Sequence, residues 1–263
     1  MKVVHIHHGN LQEIAETAPK AAMALGYFDG IHLGHQKVIQ CAKKKADEKG
    51  LLTAVLSFSQ HPKSVLFSED VMYLEPVEQK IEKLKRLGVD IFYLADFTKE
   101  LARLMPDEFL EKYIVALNAK EIVCGFDYTY GAKAMGNVKT LEDFTAKKNI
   151  GLTVVNELKW KNEKISSTLI RQHLKERKIR EIQYLLGDFY KIKYCQKDGV
   201  LPYYTLPDVG TYKVLIEDRI ECLATVKCKK YIQIHYETTK LPSLLTIKWL
   251  DSYDRFESIP SNF

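Results

Sequence analysis

Residues 26–35 read Gly26-Tyr27-Phe28-Asp29-Gly30-Ile31-His32-Leu33-Gly34-His35. The stretch follows a short apolar run at 22–25 and precedes an amphipathic segment, so it predicts a turn that leads from a strand into a helix. In an open α/β sheet, ligands bind outside the carboxyl ends of the strands, which is where this turn would lie. The sequence therefore predicts an α/β fold with a ligand site at this turn.

The composition of the turn favours an anionic ligand. Its glycines let the backbone approach a phosphate closely, and the amides and positive dipole end of the following helix attract negative charge. His32 and His35 are three residues apart, which places both imidazoles on one side of a first helical turn, facing the same phosphate. A lone histidine is more often a satisfied or exposed side chain, but two histidines and two glycines together favour phosphate binding.

Short apolar runs alternate with helical patterns through the first 190 residues, which is typical of a mainly parallel sheet covered by helices. The predicted strands are 22–25, 52–58, 91–94, 121–124 and 152–155. Helices are predicted from His35 to Lys49, from Pro106 to about residue 117, and after Ser167 and Lys178.

After Tyr190 the sequence becomes rich in β-branched and aromatic residues, with strands predicted at 211–216, 220–226, 231–236 and 244–249. The sequence thus predicts two domains, 1–190 and a small all-β unit at 191–263.

Overall composition excludes several classes of protein. The net charge of +5 arises from 39 basic and 34 acidic residues that are interspersed, so no nucleic-acid platform is predicted. Five cysteines without a C-x-x-C pair indicate reduced thiols, and no apolar run is long enough to span a membrane. We therefore expect a cytoplasmic protein without nucleic-acid or membrane partners, and the sequence names no protein partner.

The segment 165–171, Ile-Ser-Ser-Thr-Leu-Ile-Arg, places hydroxyls before a helix and an arginine in its first turn. Ser166 or Ser167 is a good helix N-cap, which is a structural explanation of the serines. The functional interpretation sets hydroxyls and amides on phosphate oxygens, with Arg171 holding a leaving pyrophosphate.

Two further segments leave predicted strands at the same edge of the sheet. Residues 125–131 combine Asp127 with aromatic side chains, and residues 58–62 read Phe-Ser-Gln-His-Pro. Aromatic residues at strand ends more often belong to the core, although a flat conjugated substrate would reverse that preference. Neither G-x-x-x-x-G-K-[ST] nor G-x-G-x-x-G occurs, which disfavours a P-loop kinase and a dinucleotide dehydrogenase.

His5, His7 and His8 lie close together near the amino terminus and raise the question of a metal site. No acid or cysteine cluster nearby completes a coordination shell, so exposed strand positions are the favoured interpretation. The sequence assigns no metal ligands.

The segments 26–35, 58–62, 125–131 and 165–171, in this order along the chain, resemble the adenylyltransferase module of bacterial FAD synthetases. In that family the module is usually fused to a carboxy-terminal riboflavin kinase. The resemblance extends over residues 1–190 and includes Lys80, Leu84 and Gly88 in a connecting helix and Leu185-Leu186-Gly187 at its end. It implies a Rossmann-like nucleotidylyltransferase fold, ATP and Mg²⁺ as the substrate complex, FMN as the acceptor and FAD as the product.

The resemblance also implies roles for individual residues. The catalytic residues would be His32, His35, Asp127 and Arg171. The ATP-binding residues would be Gly26, Tyr27, Phe28, Asp29, Gly30, Gly34, Lys164, Ser167 and Thr168. The flavin-binding residues would be Phe58, His61, Pro62, Leu66, Tyr130 and Asn137. Gln60, Tyr128, Tyr130 and Lys164 depart from residues common in the family, which leaves the flavin pocket less defined.

The carboxy-terminal part departs more strongly from the family. It has neither the Gly-rich loop nor the P-T-A-N segment of a riboflavin kinase, and residues 206–212 look like a later strand of that barrel. We therefore expect a small β domain resembling a truncated, kinase-inactive barrel, and an FMN adenylyltransferase without kinase activity.

Three alternatives remain open from the sequence. The first is an adenylyl- or cytidylyltransferase that uses another phosphate ester as acceptor. The second is a flavin-binding regulatory protein that has lost catalysis, and the third is a bifunctional enzyme.

Overall fold

The computed structural model of the protein describes residues 1–7, 9–67, 71–200, 204–237 and 241–253. The chain forms two compact units, Met1–Val71 with Val77–Leu158 and Met72–Pro76 with Lys159–Phe263. The domain border that the sequence predicts after residue 190 stays a prediction.

A six-stranded parallel sheet organises the first unit. Its strands are β1 Lys2–Ile6, β2 Ala21–Leu25, β3 Leu52–Phe58, β4 Ile91–Ala95, β5 Ala119–Gly125 and β6 Gly151–Val155. The five strands predicted here from the sequence are confirmed. β1 was not among them, although an exposed strand was the interpretation favoured for the histidines at its end.

The order of the strands places a crevice beside β2. The sheet runs β1-β4-β3-β2-β5-β6, so the chain moves from β2 to β3 and β4 on one side and then to β5 and β6 on the other. The neighbours β2 and β5 are therefore the point at which the winding direction reverses. In such Rossmann-like sheets, ligands bind outside the carboxyl ends of the two strands at the reversal.

Helices cover both faces of this sheet. They are α1 Leu11–Thr17, α2 Leu33–Lys49, α3 Pro62–Phe67, α4 Val77–Arg86, α5 Pro106–Leu110 and α6 Val138–Lys148. The amphipathic helix predicted from His35 to Lys49 is confirmed as α2, in which Val38, Ile39, Ala42 and Ala46 are buried and Gly50 is the C-cap. The helix predicted from Pro106 is confirmed at its start, and Glu111–Val115 continues it as a π-helical turn.

The second unit contains helices α7 Ser167–Lys175 and α8 Ile179–Leu186 and a hairpin of β7 Lys159–Trp160 and β8 Glu163–Lys164. Its six-stranded antiparallel sheet has the order β10-β9-β14-β11-β12-β13. These strands are β9 Tyr190–Cys195, β10 Gly199–Val200, β11 Gly210–Ile216, β12 Ile220–Cys228, β13 Tyr231–His235 and β14 Leu244–Ser252. The four strands predicted here are confirmed.

This second sheet is nearly closed into a barrel. The N–H of Val200, in β10, donates to the carbonyl oxygen of Lys230 just before β13, which links the two outer strands. Large buried side chains, including Tyr194, Tyr212 and Trp249, belong to its core. Within the described ranges, no helix is long and apolar enough to cross a membrane.

Candidate active site at the turn after β2

The turn between β2 and α2 is built over a buried phenylalanine. The Phe28 side chain is buried, and a Cβ atom added at Gly26 would lie only 2.8 Å from its ring. Glycine is therefore required at residue 26 by close approach. Asp29 and Ile31 are buried as well, so the turn is part of the packed interior of the first unit.

The backbone of the turn is strained. Phe28 and Ile31 have φ of 53° and 39°, and Gly30 has φ of 80°. Positive φ is rare for bulky and β-branched residues and costs about 1–3 kcal/mol at each position. Such conformations persist only where surrounding contacts hold them, and they concentrate at ligand sites.

The two histidines lie side by side, as predicted. Their rings stack with centroids 3.6 Å apart and planes inclined by 20°. His32 is the N-cap of α2, where its Nδ1 accepts the backbone N–H of His35 at 3.2 Å. Because Nδ1 is an acceptor, the neutral ring of His32 carries its proton on Nε2, which is a hydrogen-bond donor.

Two lysines and a serine hold the carbonyl groups of the turn. The Nζ of Lys80 and the Oγ of Ser57 both donate to the carbonyl oxygen of Tyr27, at 2.9 Å and 2.8 Å. The Nζ of Lys83 donates to the carbonyl oxygen of Gly30 at 3.1 Å. The sequence placed Lys80 in a connecting helix of the family but did not predict these contacts. The only signal was its i, i+3 spacing from Lys83.

Four of the residues assigned to the flavin side, Phe58, His61, Pro62 and Leu66, lie at the end of β3 or directly after it. The Phe58 ring meets Phe97 edge to face at 5.4 Å, and the His61 ring meets Tyr27 in the same way at 5.0 Å. Helix α3 begins at Pro62, and Leu66 is exposed on it. The His61 ring thus contacts the turn 26–35 at Tyr27.

The side chains of the segment after β5 differ in burial. Asp127 is exposed, whereas Tyr130 is buried, packs against Tyr128 and contacts the hydroxyl of Thr140 at 3.0 Å. Asn137 is the N-cap of α6, and its side chain accepts the N–H of Thr140. The flavin-binding roles implied for Tyr130 and Asn137 therefore stay predictions, and both side chains also have structural partners.

The pKa of the Cys124 thiol, near the end of β5, lies far above its usual value. Burial, with the negative charges of Asp127 and Glu142, raises the pKa of Cys124 to about 12. Burial also raises the pKa of the Tyr128 and Tyr130 phenols. The thiol and both phenols are therefore neutral at physiological pH.

A cavity of about 410 Å³ lies at the same edge of the sheet, between α1 and the residues around Leu101. It is lined by Leu11, Gln12, Ala15, Asp96, Thr98, Glu100, Leu101, Leu104, Lys112, Tyr113 and Ala116. Asp96 and Thr98 flank Phe97, the partner of Phe58. None of the residues assigned from the sequence lines this cavity, because its walls come from three distant segments without a common pattern.

The remaining predicted residues lie in the second unit. Ser166 is the N-cap of α7 and accepts the N–H of Leu169 at 3.1 Å, which confirms the capping prediction. The Arg171 guanidinium donates to the carbonyl oxygens of Ser167 at 3.3 Å and Met72 at 3.1 Å. Lys164 and Ser167 are half-buried and Thr168 is exposed.

The amino-terminal histidines show no metal cluster among the described residues. His5 is exposed in β1, His7 follows it and accepts the N–H of Gly9, and His8 lies outside the described residues. In the parts of the chain that the structure describes, no three His, Cys, Asp or Glu side chains converge on one point.

Comparison with known proteins points to one family. Residues 14–169 match the family described as FAD synthetase. The chain is 43% identical over 195 residues to the bifunctional riboflavin kinase/FMN adenylyltransferase of Listeria monocytogenes, and the match covers 73% of this chain and 62% of that protein. The corresponding Bacillus subtilis protein is also 43% identical, and the match covers 61% of its length.

Two relatives match more of their own length. A protein of Listeria monocytogenes named FAD synthetase is 33% identical, over 73% of this chain and 80% of that protein. A crystal structure described as a macrolide-efflux protein from Streptococcus pneumoniae superimposes with a TM-score of 0.81 at 30% identity, and covers 96% of this chain and 100% of that one. The chain therefore spans about three fifths of the length of the bifunctional relatives, whereas the match to the solved structure covers 96% of the chain.

Proposed function

Because the chain belongs to the FAD synthetase family, we propose that it transfers the adenylyl group of ATP to FMN, giving FAD and pyrophosphate. The observation that carries the proposal is the stacked pair His32 and His35 at the amino end of α2. The pair combines donors, backbone amides and a helix dipole at the sheet edge where α/β proteins bind ligands.

In the proposed reaction, a terminal phosphate oxygen of FMN attacks the α-phosphorus of ATP. A new P–O bond forms, and the bond from the α-phosphorus to the oxygen that bridges to the β-phosphate breaks, so that pyrophosphate leaves with that electron pair. The phosphate of FMN is already ionised at neutral pH, so the step needs no strong general base. Positioning and charge neutralisation are expected to supply most of the acceleration.

The histidines would stabilise the charge that grows on the α-phosphate. His32 is held by its Nδ1 contact, and its Nε2–H is the group that would donate to a phosphate oxygen. His35 stacks on it and meets the Phe28 ring edge to face at 5.2 Å, which restricts both rings before substrate arrives. Donors fixed in this way stabilise a transition state without reorganisation.

Magnesium is expected to accompany ATP. Mg²⁺ is usually held by one or two carboxylates together with substrate phosphates, and an all-protein cage is not needed. Among the described residues, no three His, Cys, Asp or Glu side chains could hold the ion on their own. When bound, the ion would neutralise phosphate charge. The residues of this chain would orient the nucleotide around it.

The other assigned residues enter the proposal through the family resemblance. Residues 26–34, Lys164, Ser167 and Thr168 would bind ATP, and Arg171 would hold the pyrophosphate. Phe58, His61, Pro62, Leu66, Tyr130 and Asn137 would bind the flavin, with Asp127 acting in catalysis. Support for the flavin side comes from the aromatic contacts of Phe58 and His61.

We further propose that the chain does not phosphorylate riboflavin and acts in the cytoplasm. The absence of a Gly-rich loop and a P-T-A-N segment supports the first point. The Listeria monocytogenes relative named only FAD synthetase, which the chain covers over 80% of its length, supports it as well.

One assay tests adenylyl transfer to FMN together with the expected lack of riboflavin phosphorylation. Purified protein is incubated with ATP and Mg²⁺ and with either FMN or riboflavin, and the flavins are separated by chromatography while pyrophosphate is measured. We expect FMN to become FAD with stoichiometric pyrophosphate, and riboflavin to remain unchanged. His35→Ala serves as the control for activity carried by a contaminant.

The other outcomes identify the alternatives. Conversion of riboflavin to FMN would show a bifunctional enzyme. Binding of FMN without release of pyrophosphate would favour a regulatory flavin-binding protein. Pyrophosphate release with another phosphate ester, but not with FMN, would identify a different acceptor.

A further inference from the structure

We propose that Lys80 and Lys83 are positioning residues that hold the phosphate-binding turn in its active conformation, without contacting ATP themselves. The inference rests on the proposed function for its link to catalysis. Its structural part concerns only the first unit, which contains both lysines and the whole turn.

The lysines act on the strained part of the backbone. Phe28, Gly30 and Ile31 have positive φ, and the carbonyl groups that the lysines hold belong to Tyr27 and Gly30, directly before Phe28 and Ile31. Each contact thus fixes the peptide group that enters a strained residue. Strained conformations need such external restraint, since the isolated chain would relax to negative φ.

The orientation of these peptide groups determines where their amides point. The peptide unit is planar and trans, so the C=O and N–H of one unit point in opposite directions. Because the carbonyl oxygens of Tyr27 and Gly30 face α4, the N–H groups of Phe28 and Ile31 point away from α4. Two amides are thereby directed to one side, as an anion-binding turn requires.

The burial of Lys80 supports a specific role. Its side chain is only 3% exposed, and its Nζ also lies 4.9 Å from the centre of the Tyr27 ring. Burying an ammonium group is costly unless hydrogen bonds and favourable charge contacts compensate it. A lysine needed only for solubility would be placed like Lys85, which is exposed on the same helix.

The charges of the two lysines add to the effect. Both ammonium groups lie within hydrogen-bond distance of the turn that would receive the polyphosphate, so they raise the positive potential there. We therefore expect their removal to slow adenylyl transfer more than it weakens ATP binding, because the amides are aligned for the transition state.

The test compares Lys80→Met and Lys83→Met with Lys85→Met, which removes the same charge from the exposed position of α4. We expect kcat for FAD formation to fall about tenfold or more in Lys80→Met and by less in Lys83→Met, with the KM for ATP changed by less than about threefold. Lys85→Met is expected to match the unmodified protein.

Two further readouts separate positioning from a general loss of folding. Hydrogen–deuterium exchange should become faster in peptides covering 26–34 in Lys80→Met while the strands β3 and β5 keep their protection. Propylamine should partly restore the activity of Lys80→Ala, because it can return an ammonium group to the vacated space. Propanol, which has the same number of heavy atoms and is uncharged, serves as its control.

The proposal is overturned if Lys80→Met and Lys85→Met have the same kcat and the same exchange in 26–34. It is also overturned if exchange rises evenly over the first unit, since that would be a purely structural effect. Hydrogen exchange needs no FMN chemistry, so it decides the role of the lysines even if the protein makes no FAD. Failure of the unmodified protein to make FAD would instead refute the proposed function.

Discussion

The turn 26–35 after β2 and the segment 125–131 after β5 occupy the two sides of the crevice where the strand order reverses, yet they are built differently. In the turn, Phe28, Asp29, Ile31 and His32 are buried, and hydrogen bonds from α4 and β3 hold the carbonyl groups. In the segment after β5, Phe126 and Asp127 are exposed, whereas Tyr130 is buried in the core and Tyr128 packs against that core.

This difference in burial and restraint suits the two sides of the crevice to different roles. A turn that is buried and restrained suits the reacting phosphate, because displacement of a donor by a fraction of an ångström weakens transition-state stabilisation. An exposed acid beside aromatic residues suits an acceptor that must enter and leave. Substitutions should therefore be more damaging in the turn than in the segment after β5.

The largest effect is expected at the paired histidines. His32→Ala or His35→Ala should lower kcat for FAD formation on the order of 100-fold or more, because each removes a fixed donor from the transition state. Steady-state kinetics with FMN and ATP measures the effect. His5→Ala, at an exposed position of β1, is the matched control and should leave the rate unchanged.

Capping must be separated from catalysis at His32. Loss of the N-cap contact to His35 should cost about 1 kcal/mol of stability in His32→Ala. His32→Asn keeps a good cap and removes the imidazole, so it should retain stability and still lose activity. Near-normal FAD formation by both alanine variants would refute the role assigned to the pair.

A second effect tests the packing of the turn. Gly26→Ala should lower the free energy of unfolding by about 1–3 kcal/mol, because the new Cβ would lie 2.8 Å from the buried Phe28 ring. Denaturant titration measures the change. Gly9→Ala is the control, since its Cβ would meet only the His7 ring at 3.5 Å, which is an ordinary contact. Equal stability of the two variants would contradict the rigid packing of the turn.

The smallest effect is expected on the other side of the crevice. Asp127→Ala should lower kcat by about tenfold, whereas Asp127→Asn should stay within about threefold, since the family resemblance allows either residue there. Stability should be unchanged in both, because the side chain is exposed. If the asparagine variant were as slow as the alanine variant, the charge of Asp127 would be essential. The expected difference between the two sides of the crevice would then be wrong.

The parts of the fold that were predicted from sequence share a local origin. Periodicity predicts the apolar face of α2 and its extent to Lys49. Capping chemistry predicts the Ser166 cap, and helical spacing predicts that His32 and His35 lie side by side. β1 was not predicted as a strand of the sheet, because its five residues alternate only weakly between buried and exposed positions at the sheet edge.

Other residues of the site could not be predicted, because distant segments bring them together. Ser57 and Lys80 share one carbonyl oxygen although they are 23 positions apart in sequence. The spacing of Tyr130 and Asn137 did not reveal that both contact Thr140. The cavity beside Phe97 has walls from three segments, none of which has a recognisable pattern of its own.

The sequence by itself determined the α/β class of the first unit, the all-β class of the end and the position of the turn that we propose to bind phosphate, because these depend on short-range periodicity and on residue types within ten positions. Only the tertiary structure decided which groups restrain that turn and which aromatic residues enter the core. The reason is that burial and hydrogen bonding between distant segments depend on strand order, and strand order is set by the packing of the whole unit.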